Sequence, residues 1–593
     1  MPILSMQEDT LTVPRAAARA GFRNDVRAPM TDFLICLSAA NLCFVNWWYG
    51  LQAINIPWES YYRDAPPAGT LPWAILSDGL LLALAFWFFW EWARKPGKPM
   101  VATGGGIAFL LTLVFPLELV RGVWNAEGTV PGILARGALL LTEVSLAAGA
   151  VQMFFRQNQP LAGSARTAPS ASLRIARTTE RSAPCALLRA AKKAVLAMNL
   201  LFAAMLVSYF FSWAGSPGAA AYASLPAAAP VPARSGATPR VVWLVFDEMD
   251  QRLTFPERPA SVHLPELDRL RAESLYADHA QPSATWTSMA LPSLLTGAIV
   301  SKVEAKGPRE LRLSFAGGRM AGSWSRQPNV FDNARKLGVN SALAGWYHPY
   351  CRVLGRSLAG CFGEPGFNSV DVYATRIGMV RTMWFLLRAQ AEALLSEVHP
   401  ICTKPTDIEL RAFGRLHQQE RYFANRKYAL DLAANPAYGL VFVHWPVPHP
   451  VGIYNRRLHN FNAGGGEQTY LDNLELVAVT LGELRRAMQA AGIWDRTTLI
   501  ITADHGFRPN VWAERLKWMR EVLVEARDTA ARPVPFVVKF AGQETGAVYS
   551  QPFNNVLTHD LVLAVLSGEI QTAVAARTWL DRNRARFPAR TGG

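Results

Sequence analysis

The sequence lacks several features that would have pointed to particular classes of protein. The first 30 of the 593 residues contain no apolar core followed by a cleavage site, so no removable signal peptide is expected. The net charge is +15, but no segment rich in lysine and arginine carries interleaved aromatic residues, which disfavours nucleic-acid binding. Much of the positive charge instead flanks apolar segments, a pattern typical of membrane proteins.

Apolar segments of membrane-spanning length are concentrated in the first 213 residues, and the mean hydropathy of +0.09 is high for a soluble protein. Basic residues cluster before the first segment, between the second and third, and between the fourth and fifth. Because lysine and arginine are retained on the cytoplasmic side, the N-terminus is predicted inside and everything after residue 213 outside. We therefore expect an integral membrane protein with an extracytoplasmic domain. The five predicted spans are 31–51, 72–93, 104–124, 132–155 and 194–213.

A chain of this length exceeds what one hydrophobic core holds, so more than one domain is expected. The character of the sequence changes after the fifth span, first to an alanine- and proline-rich stretch and then to apolar runs separated by helical patterns. The predicted parts are a cytoplasmic segment 1–30, a transmembrane domain 31–213, a linker 214–239, an extracytoplasmic domain 240–575 and a basic tail 576–593.

The pattern of the extracytoplasmic part, 240–575, predicts an α/β domain. Its apolar runs are continuous rather than alternating, which is typical of strands covered on both faces, and helical stretches such as 264–277 and 468–491 separate them. A mostly parallel central sheet is predicted. The candidate strands are 240–247, 339–346, 438–445, 497–503 and 534–540. Cys351 and Cys361 bracket a short loop and are our candidates for a disulfide, although spacing alone does not establish connectivity.

Carboxylates and imidazoles follow three of these strands, most visibly in "TLIITADHG", where a buried run ends on Asp-His-Gly. Ligands bind beyond the carboxyl ends of parallel strands, so these side chains should share one edge of the sheet. Each group alone has a simpler explanation as a polar turn, a helix N-terminus or a core histidine. Their coincidence favours a Zn²⁺ or Mn²⁺ site, with Ca²⁺ less suited to histidine ligands. The residues are Asp247, Glu248, His444, His449, Asp504 and His505.

A candidate nucleophile lies in "PSATWTSMALPSLLTG", a hydroxyl-rich turn that leads into an apolar helical run from Pro282 to Gly297. Hydroxyls at a helix N-terminus face the positive end of its dipole, where developing negative charge is stabilised. The alternative is an ordinary N-cap, since serine and threonine are favoured there for reasons unrelated to chemistry.

The exported domain resembles the alkaline phosphatase/sulfatase superfamily. In particular it is similar to the five-span membrane enzymes that transfer phosphoethanolamine or phosphoglycerol onto envelope glycans. The resemblance is carried by "VVWLVFDEMD", "TWTSMALPSLLTG", "HWPVPHPVGIYN" and "TLIITADHG", in family order between residues 240 and 510 and preceded by five predicted spans.

The resemblance assigns roles to positions of this sequence. It implies metal ligands at Asp247, Asp504 and His505, with Glu248 as a possible further ligand. It implies a threonine nucleophile at Thr287, with Thr285 as the fallback, and a histidine near the substrate phosphate at His449. Weaker candidates for substrate binding are His444, Arg508 and His348.

Two departures from the family pattern bear on function. Sulfatases of this fold carry a Cys or Ser in a Cys-x-Pro-x-Arg context, and its absence argues against sulfate ester hydrolysis. The transferases also have a further histidine after the Asp-His pair, whereas the only one downstream here is His559, in a predicted helix. A second metal or leaving-group site is therefore in doubt.

The function that the resemblance implies is phosphoryl transfer. A divalent cation would lower the pKa of the Thr287 hydroxyl, which would attack a phospholipid head group. An envelope glycan or lipid would then accept the head group from a phosphothreonine intermediate. Two alternatives stay open: a phosphodiesterase that uses water as acceptor, and a relative that binds glycans without catalysis. The head group, the acceptor and the oligomeric state are not specified by the sequence.

Overall fold

The computed structural model describes residues 15–44, 47–48, 50–51, 56–93, 193, 196–232, 239–318, 321–366, 370–398, 404–461, 470–508 and 532–587. The chain divides into two compact units. The first comprises residues 1–54, 68–215 and 374–406, and the second comprises residues 55–67, 216–373 and 407–593.

The first unit contains the apolar helices. Arg15–Cys43 and Met379–Val398 both contact Thr70–Ala93. Asn199 donates from Nδ2 to the carbonyl of Leu34 at 2.8 Å, which joins the helix Leu196–Ala214 to the first helix. Residues 374–406 belong to this unit, although the residues that precede and follow them in the chain belong to the second unit.

The predicted five-helix bundle is not confirmed. Among the described residues, two helices are long and apolar enough to cross a membrane, Thr70–Trp92 and Leu196–Ala214. The first predicted span, 31–51, corresponds to a shorter apolar stretch, Pro29–Cys43, because the helix that contains it ends at Cys43. The predicted spans 104–124 and 132–155 lie outside the described residues.

The second unit is built on an eight-stranded mixed sheet with the order β12-β2-β11-β10-β1-β9-β7-β8. Five of its seven neighbouring pairs are parallel, and β11 runs antiparallel to both of its neighbours. Its strands are β1 Arg240–Asp247, β2 Leu275–Ala277, β7 Ser341–Tyr347, β8 Gly360–Pro365, β9 Leu440–Pro448, β10 Thr497–Ala503, β11 Phe536–Lys539 and β12 Ala547–Tyr549. The remaining strands form two small sheets: β3 Ala280–Gln281 with β13 Phe553–Asn554, and β4 Val300–Gly307, β5 Glu310–Phe315 and β6 Gly322–Ser323.

The central strands are buried along their whole length because helices cover both faces of the sheet, and this explains their uninterrupted apolar sequences. The α/β class and the mostly parallel sheet are confirmed. The strand predicted at 534–540 is shorter, Phe536–Lys539, and it runs antiparallel to both of its neighbours. The helices of this unit are Pro57–Tyr62, Gln251–Thr254, Pro265–Glu273, Thr287–Thr296, Val330–Lys336, Tyr350–Val353, Tyr470–Ala490, Thr558–Leu566 and Ala573–Asn583. The helices Val370–Ile377 and Pro405–Ala434 cross the two boundaries of the segment 374–406.

Two predicted peripheral segments lie against the second unit. In the linker, Leu225 donates its amide to the carbonyl of Cys351 at 2.9 Å, and the side chain of Asn340 pairs with the backbone of Val231. Part of the basic tail belongs to the helix Ala573–Asn583, which buries Ala576 and Leu580. The structure also joins Cys351 to Cys361 by a disulfide.

Candidate active site

Four neighbouring parallel strands, β10, β1, β9 and β7, end at the same edge of the sheet. Asp247 is the last residue of β1, Asp504 follows β10, His449 follows β9 and His348 follows Tyr347 at the end of β7. A register shift beyond Phe246 lengthens β9 at this edge. The topology therefore gathers residues that lie far apart in the chain, as expected for a ligand site in a sheet of this kind.

Asp247, His444 and Asp504 form a fully buried cluster. One ligand atom from each lies within 4.8 Å of the others, and His444 Nε2 is 3.6 Å from Asp247 Oδ2. Both Asp247 oxygens, Asp504 Oδ2 and His444 Nε2 are buried without a hydrogen-bond partner. Buried carboxylates without partners are costly, and a divalent cation is the group that would satisfy this set of oxygen and nitrogen donors. The residues therefore fit a metal site.

Thr287 and His505 extend this cluster. Thr287 is the first residue of the helix Thr287–Thr296, and its Oγ1 lies 3.1 Å from His505 Nε2. The same Nε2 lies 3.3 Å from Asp504 Oδ2 and 3.8 Å from Asp247 Oδ1. The other ring nitrogen of His505 donates to the carbonyl of Gly506 at 3.0 Å, so the Nε2 lone pair points towards the acids.

The alternative nucleophile is placed differently. Thr285 is exposed, and its carbonyl accepts a hydrogen bond from Arg508 Nη1 at 3.3 Å. Thr287 is 3% exposed and has its hydroxyl against the cluster. Of the two threonines, only Thr287 has its hydroxyl hydrogen-bonded to the Asp/His cluster in the described structure.

A second group shares Asp247. It consists of Asp247, Glu248 and His449, again within 4.8 Å, with His449 Nε2 3.6 Å from Glu248 Oε2. Arg508 contacts both oxygens of Glu248 at 3.1 Å through Nε and Nη2, and its guanidinium stacks 4.7 Å above the Trp286 ring. Glu248 is thus already paired with a permanent cation, in contrast to Asp247.

The backbone at Glu248 is held in an unusual conformation. Its φ is +65°, which side-chain-bearing residues rarely adopt. Its amide donates to Asp504 Oδ1 at 3.0 Å, and its carbonyl accepts from the Tyr470 hydroxyl at 2.9 Å. That hydroxyl also accepts the amide of Asp250 at 3.0 Å. Tyr470 was missed in the sequence because it lies about 220 residues away in a helix that carries no local sign of this contact.

Tyr350 and the carbonyl of Trp346 orient the His444 ring. The tyrosine hydroxyl and the carbonyl oxygen lie 3.0 and 3.1 Å from Nδ1, which leaves Nε2 facing Asp247. Burial lowers the pKa of His444 to about 4, so the imidazole is neutral at pH 7, the form that binds metals. Its complete burial favours a role in the cation cluster over the substrate contact predicted for it.

The electrostatics of Asp247, the last residue of β1, and of Glu248, which follows it, differ. Burial and the neighbouring Asp504 raise the pKa of Asp247 to about 7. Burial acts in the same direction on Glu248, but the Arg508 guanidinium together with His449 and His505 outweighs it and lowers the pKa of Glu248 overall. Asp247 therefore carries most of the unfavourable charge that a cation would relieve.

The two remaining histidine candidates lie apart from the acids. His348 is fully buried, and its Nε2 lies 3.4 Å from the carbonyl oxygen of Thr287. His559 pairs with Asp560 at 2.7 Å and packs against Gly297, at the far end of the helix that begins with Thr287. Ten helical residues span about 15 Å, so His559 is remote from the cluster.

The geometry of the cluster agrees with the family that the sequence matches. Residues 241–574 match the model of the type I phosphodiesterase / nucleotide pyrophosphatase family. The chain belongs to this family. The matched region contains every member of both clusters and the candidate nucleophile. Membership confirms the predicted alkaline phosphatase superfamily and supports hydrolysis or phosphoryl transfer in general, chemistry for which the superfamily uses divalent metals.

Several solved structures are similar to part of this chain at low identity. A lipoteichoic acid synthase from Listeria monocytogenes shares 12% identity with a TM-score of 0.32, covering 57% of this chain and 76% of its own. A sulfatase from Pseudoalteromonas sp. shares 15% identity with a TM-score of 0.35, covering 56% of this chain and 69% of its own. A phosphonate monoester hydrolase from Agrobacterium radiobacter shares 14% identity with a TM-score of 0.32, covering 56% of this chain and 77% of its own. No curated protein matches the sequence.

Proposed function

We propose that the protein is a metal-dependent, membrane-bound phosphotransferase that moves a phospholipid head group, of the phosphoethanolamine or phosphoglycerol type, onto an envelope glycan or lipid. The observation that carries the proposal is the 3.1 Å contact between Thr287 Oγ1 and His505 Nε2, beside carboxylates that lack partners. A structural N-cap would direct its hydroxyl to the backbone of its own helix, whereas that of Thr287 meets the acid and histidine cluster.

The proposed ligands of the cation are Asp247, Asp504, His505 and His444. Glu248, which lies next to Asp247, is a further possible ligand. Bound there, Zn²⁺ or Mn²⁺ would supply positive charge that lowers the pKa of an adjacent hydroxyl and offsets charge on a phosphoryl oxygen. The neutral imidazole of His444 suits this role. The hydrogen bonds of the Nδ1 atoms of His444 and His505 keep their Nε2 atoms aimed inward.

Thr287 is the proposed nucleophile. It loses its proton to solvent and its Oγ1 attacks the phosphorus of the donor phosphodiester. The bond between phosphorus and the diacylglycerol oxygen breaks, and that oxygen leaves with a proton, so the head group stays on Thr287. His449 is partly exposed beside Glu248 and is the proposed proton donor to the leaving oxygen.

In the second step an acceptor hydroxyl attacks the phosphothreonine, and Thr287 recovers its hydroxyl proton. Water in place of the acceptor gives a phosphodiesterase, which the family name permits. Arg508 lies between Glu248 and the exposed Trp286, where its guanidinium would offset negative charge on the donor phosphate.

The proposed location is a bacterial-type inner membrane, with the N-terminus cytoplasmic and the catalytic domain periplasmic. The two candidate spanning helices support insertion into a membrane, and the distribution of lysine and arginine supports this orientation. The disulfide between Cys351 and Cys361 supports an oxidising compartment for the second unit. A membrane anchor beside the active domain favours a lipid donor over a soluble one.

The experiment follows phosphorus from donor to threonine. Full-length protein in detergent is mixed with phosphatidylethanolamine or phosphatidylglycerol, quenched and digested, and the peptide containing Pro282–Gly297 is examined by mass spectrometry. We expect the head group with its phosphate on Thr287, and loss of both adduct and product in Thr287→Ala.

Thr285→Ala is the matched control, since it removes a neighbouring exposed threonine hydroxyl outside the cluster. Turnover by Thr287→Ala at the wild-type rate would refute the assignment. Adduct followed only by free phosphorylated head group would identify a hydrolase. Purified protein that binds glycan without stoichiometric metal or any adduct would identify the non-catalytic alternative.

A further inference from the structure

A short segment from the N-terminal half of the chain is part of the second unit. Residues 55–67 lie between the first two predicted spans, yet they group with the active-site domain. The helix Pro57–Tyr62 within this segment buries Tyr61 and Tyr62 in the hydrophobic core of that domain. In the sequence, nothing in this loop indicated a role at a site almost 200 residues further along.

The segment is anchored on both sides of Tyr61. Arg352 donates from Nη2 to the carbonyl of Tyr61 at 3.0 Å, and Arg63 forms a buried ion pair with Asp371. Tyr62 contacts the ring of Tyr347, whose φ of +73° marks a constrained end of β7. These contacts fix the position of the Tyr61 hydroxyl relative to the loop that carries His348.

A chain of hydrogen bonds leads from this segment to the nucleophile. The Tyr61 hydroxyl lies 3.1 Å from His348 Nδ1, and His348 Nε2 lies 3.4 Å from the carbonyl oxygen of Thr287. If the tyrosine donates to Nδ1, the proton resides on Nε2 and is donated to the carbonyl, so every polar atom in the chain is satisfied. The rings of Trp324 and Tyr350 pack against His348 at 4.9 and 5.6 Å, which leaves the imidazole little freedom to turn.

We propose that Tyr61 and His348 are positioning residues, through which the segment 55–67 holds the backbone of Thr287 and completes the active site. The inference rests on the proposed function only in taking Thr287 as the nucleophile. It assigns His348 a role behind the nucleophile rather than the substrate contact predicted from the sequence. It also gives the segment between the first two predicted spans an indirect part in catalysis, through the backbone of Thr287.

The geometry indicates how the chain of hydrogen bonds would act on the reaction. Neither Tyr61 nor His348 reaches the Thr287 hydroxyl; both act through the carbonyl of the same residue. Burial, together with the nearby His444, lowers the pKa of His348 to about 3, so it donates as a neutral imidazole over the whole physiological range. Loss of the contact would let the first turn of the helix shift, which misplaces Oγ1 without removing it.

The test uses full-length Tyr61→Phe, which removes the hydroxyl and keeps the ring, assayed with bis(p-nitrophenyl) phosphate. We expect kcat to fall roughly 10-fold while KM and bound metal stay at wild-type values, because orientation and not binding is lost. His348→Asn should show the same pattern. Since both act through one chain, the double variant should lose no more activity than the worse single variant.

Tyr422→Phe is the matched control. Tyr422 is equally buried, and its hydroxyl forms a 2.7 Å hydrogen bond with Thr480 Oγ1, ten residues along the helix from the site contact Tyr470. It should lose thermal stability comparably while retaining kcat. A wild-type kcat in Tyr61→Phe, or equal losses of kcat in both tyrosine variants, would overturn the inference. Activity in Thr287→Ala would instead defeat the proposed function, so the two failures are distinguishable.

Discussion

Replacing Asp247 by asparagine should stabilise the cation-free protein at pH 7 and abolish its stabilisation by metal. The folded pKa of Asp247 is about 7, against 3.8 for an ordinary aspartate, because burial and Asp504 oppose its charge. A group whose pKa is raised by folding costs stability as pH rises from its unfolded towards its folded pKa. Over this interval the cost reaches about 4 kcal/mol. Asparagine carries no charge and avoids it.

The difference between wild type and variant isolates this carboxylate from the histidines. His444 and His348 have lowered pKa values, so their contribution is lost as pH falls below about 6.5, and both proteins share it. In a chelator, the two unfolding curves should nearly coincide at pH 4 and separate as pH rises to 7, with Asp247→Asn the more stable. For a domain of this size the gap corresponds to an apparent melting difference on the order of 8 °C.

The assay is thermal unfolding of the detergent-solubilised protein, followed by tryptophan fluorescence with chelator, Zn²⁺ or Mn²⁺. A cation at 100 times its dissociation constant should stabilise the wild type by about 2.7 kcal/mol and leave Asp247→Asn unchanged. Asp250→Asn is the control: it is equally buried but caps a helix and lies 3.5 Å from Arg532, so its metal response should persist. Equal stabilisation of wild type and Asp247→Asn by metal would refute the reasoning.

Three further predictions concern the surroundings of the cluster. Tyr350→Phe removes the hydroxyl that orients His444, and metal affinity measured by calorimetry should fall roughly 10- to 100-fold with the fold intact; unchanged affinity would contradict the orienting role. Gly345→Ala would place a Cβ 2.7 Å from the Tyr350 ring, so we expect about 1–3 kcal/mol of destabilisation and weaker metal binding, checked by melting and metal analysis. Replacing Cys351 and Cys361 by serine should cost about 2–3 kcal/mol for this short loop, and an unchanged midpoint under oxidising conditions would show that the bridge does not stabilise the domain.

The fold was largely predictable because strands buried on both faces must be apolar throughout. That constraint placed β1 and β10 within their observed bounds and identified β7 and β9 to within a few residues. The direction of β11 was not predictable, since an antiparallel strand buried on both faces has the same apolar sequence as a parallel one. The sequence predicted the two candidate spanning helices that the structure describes, because length and hydropathy alone define such a helix.

The sequence by itself determined which chemical groups terminate the strands, and a parallel sheet then requires that they meet. It therefore predicted the acids and the Asp-His pair as one site, and the family resemblance added Thr287. Only the tertiary structure decided that Arg508 pairs with Glu248, that Asp247 is left without a partner, and that Tyr61 reaches the nucleophile through His348. These contacts join positions tens to hundreds of residues apart, and no local pattern encodes them, because which side chain fills a given space depends on the packing of the whole domain.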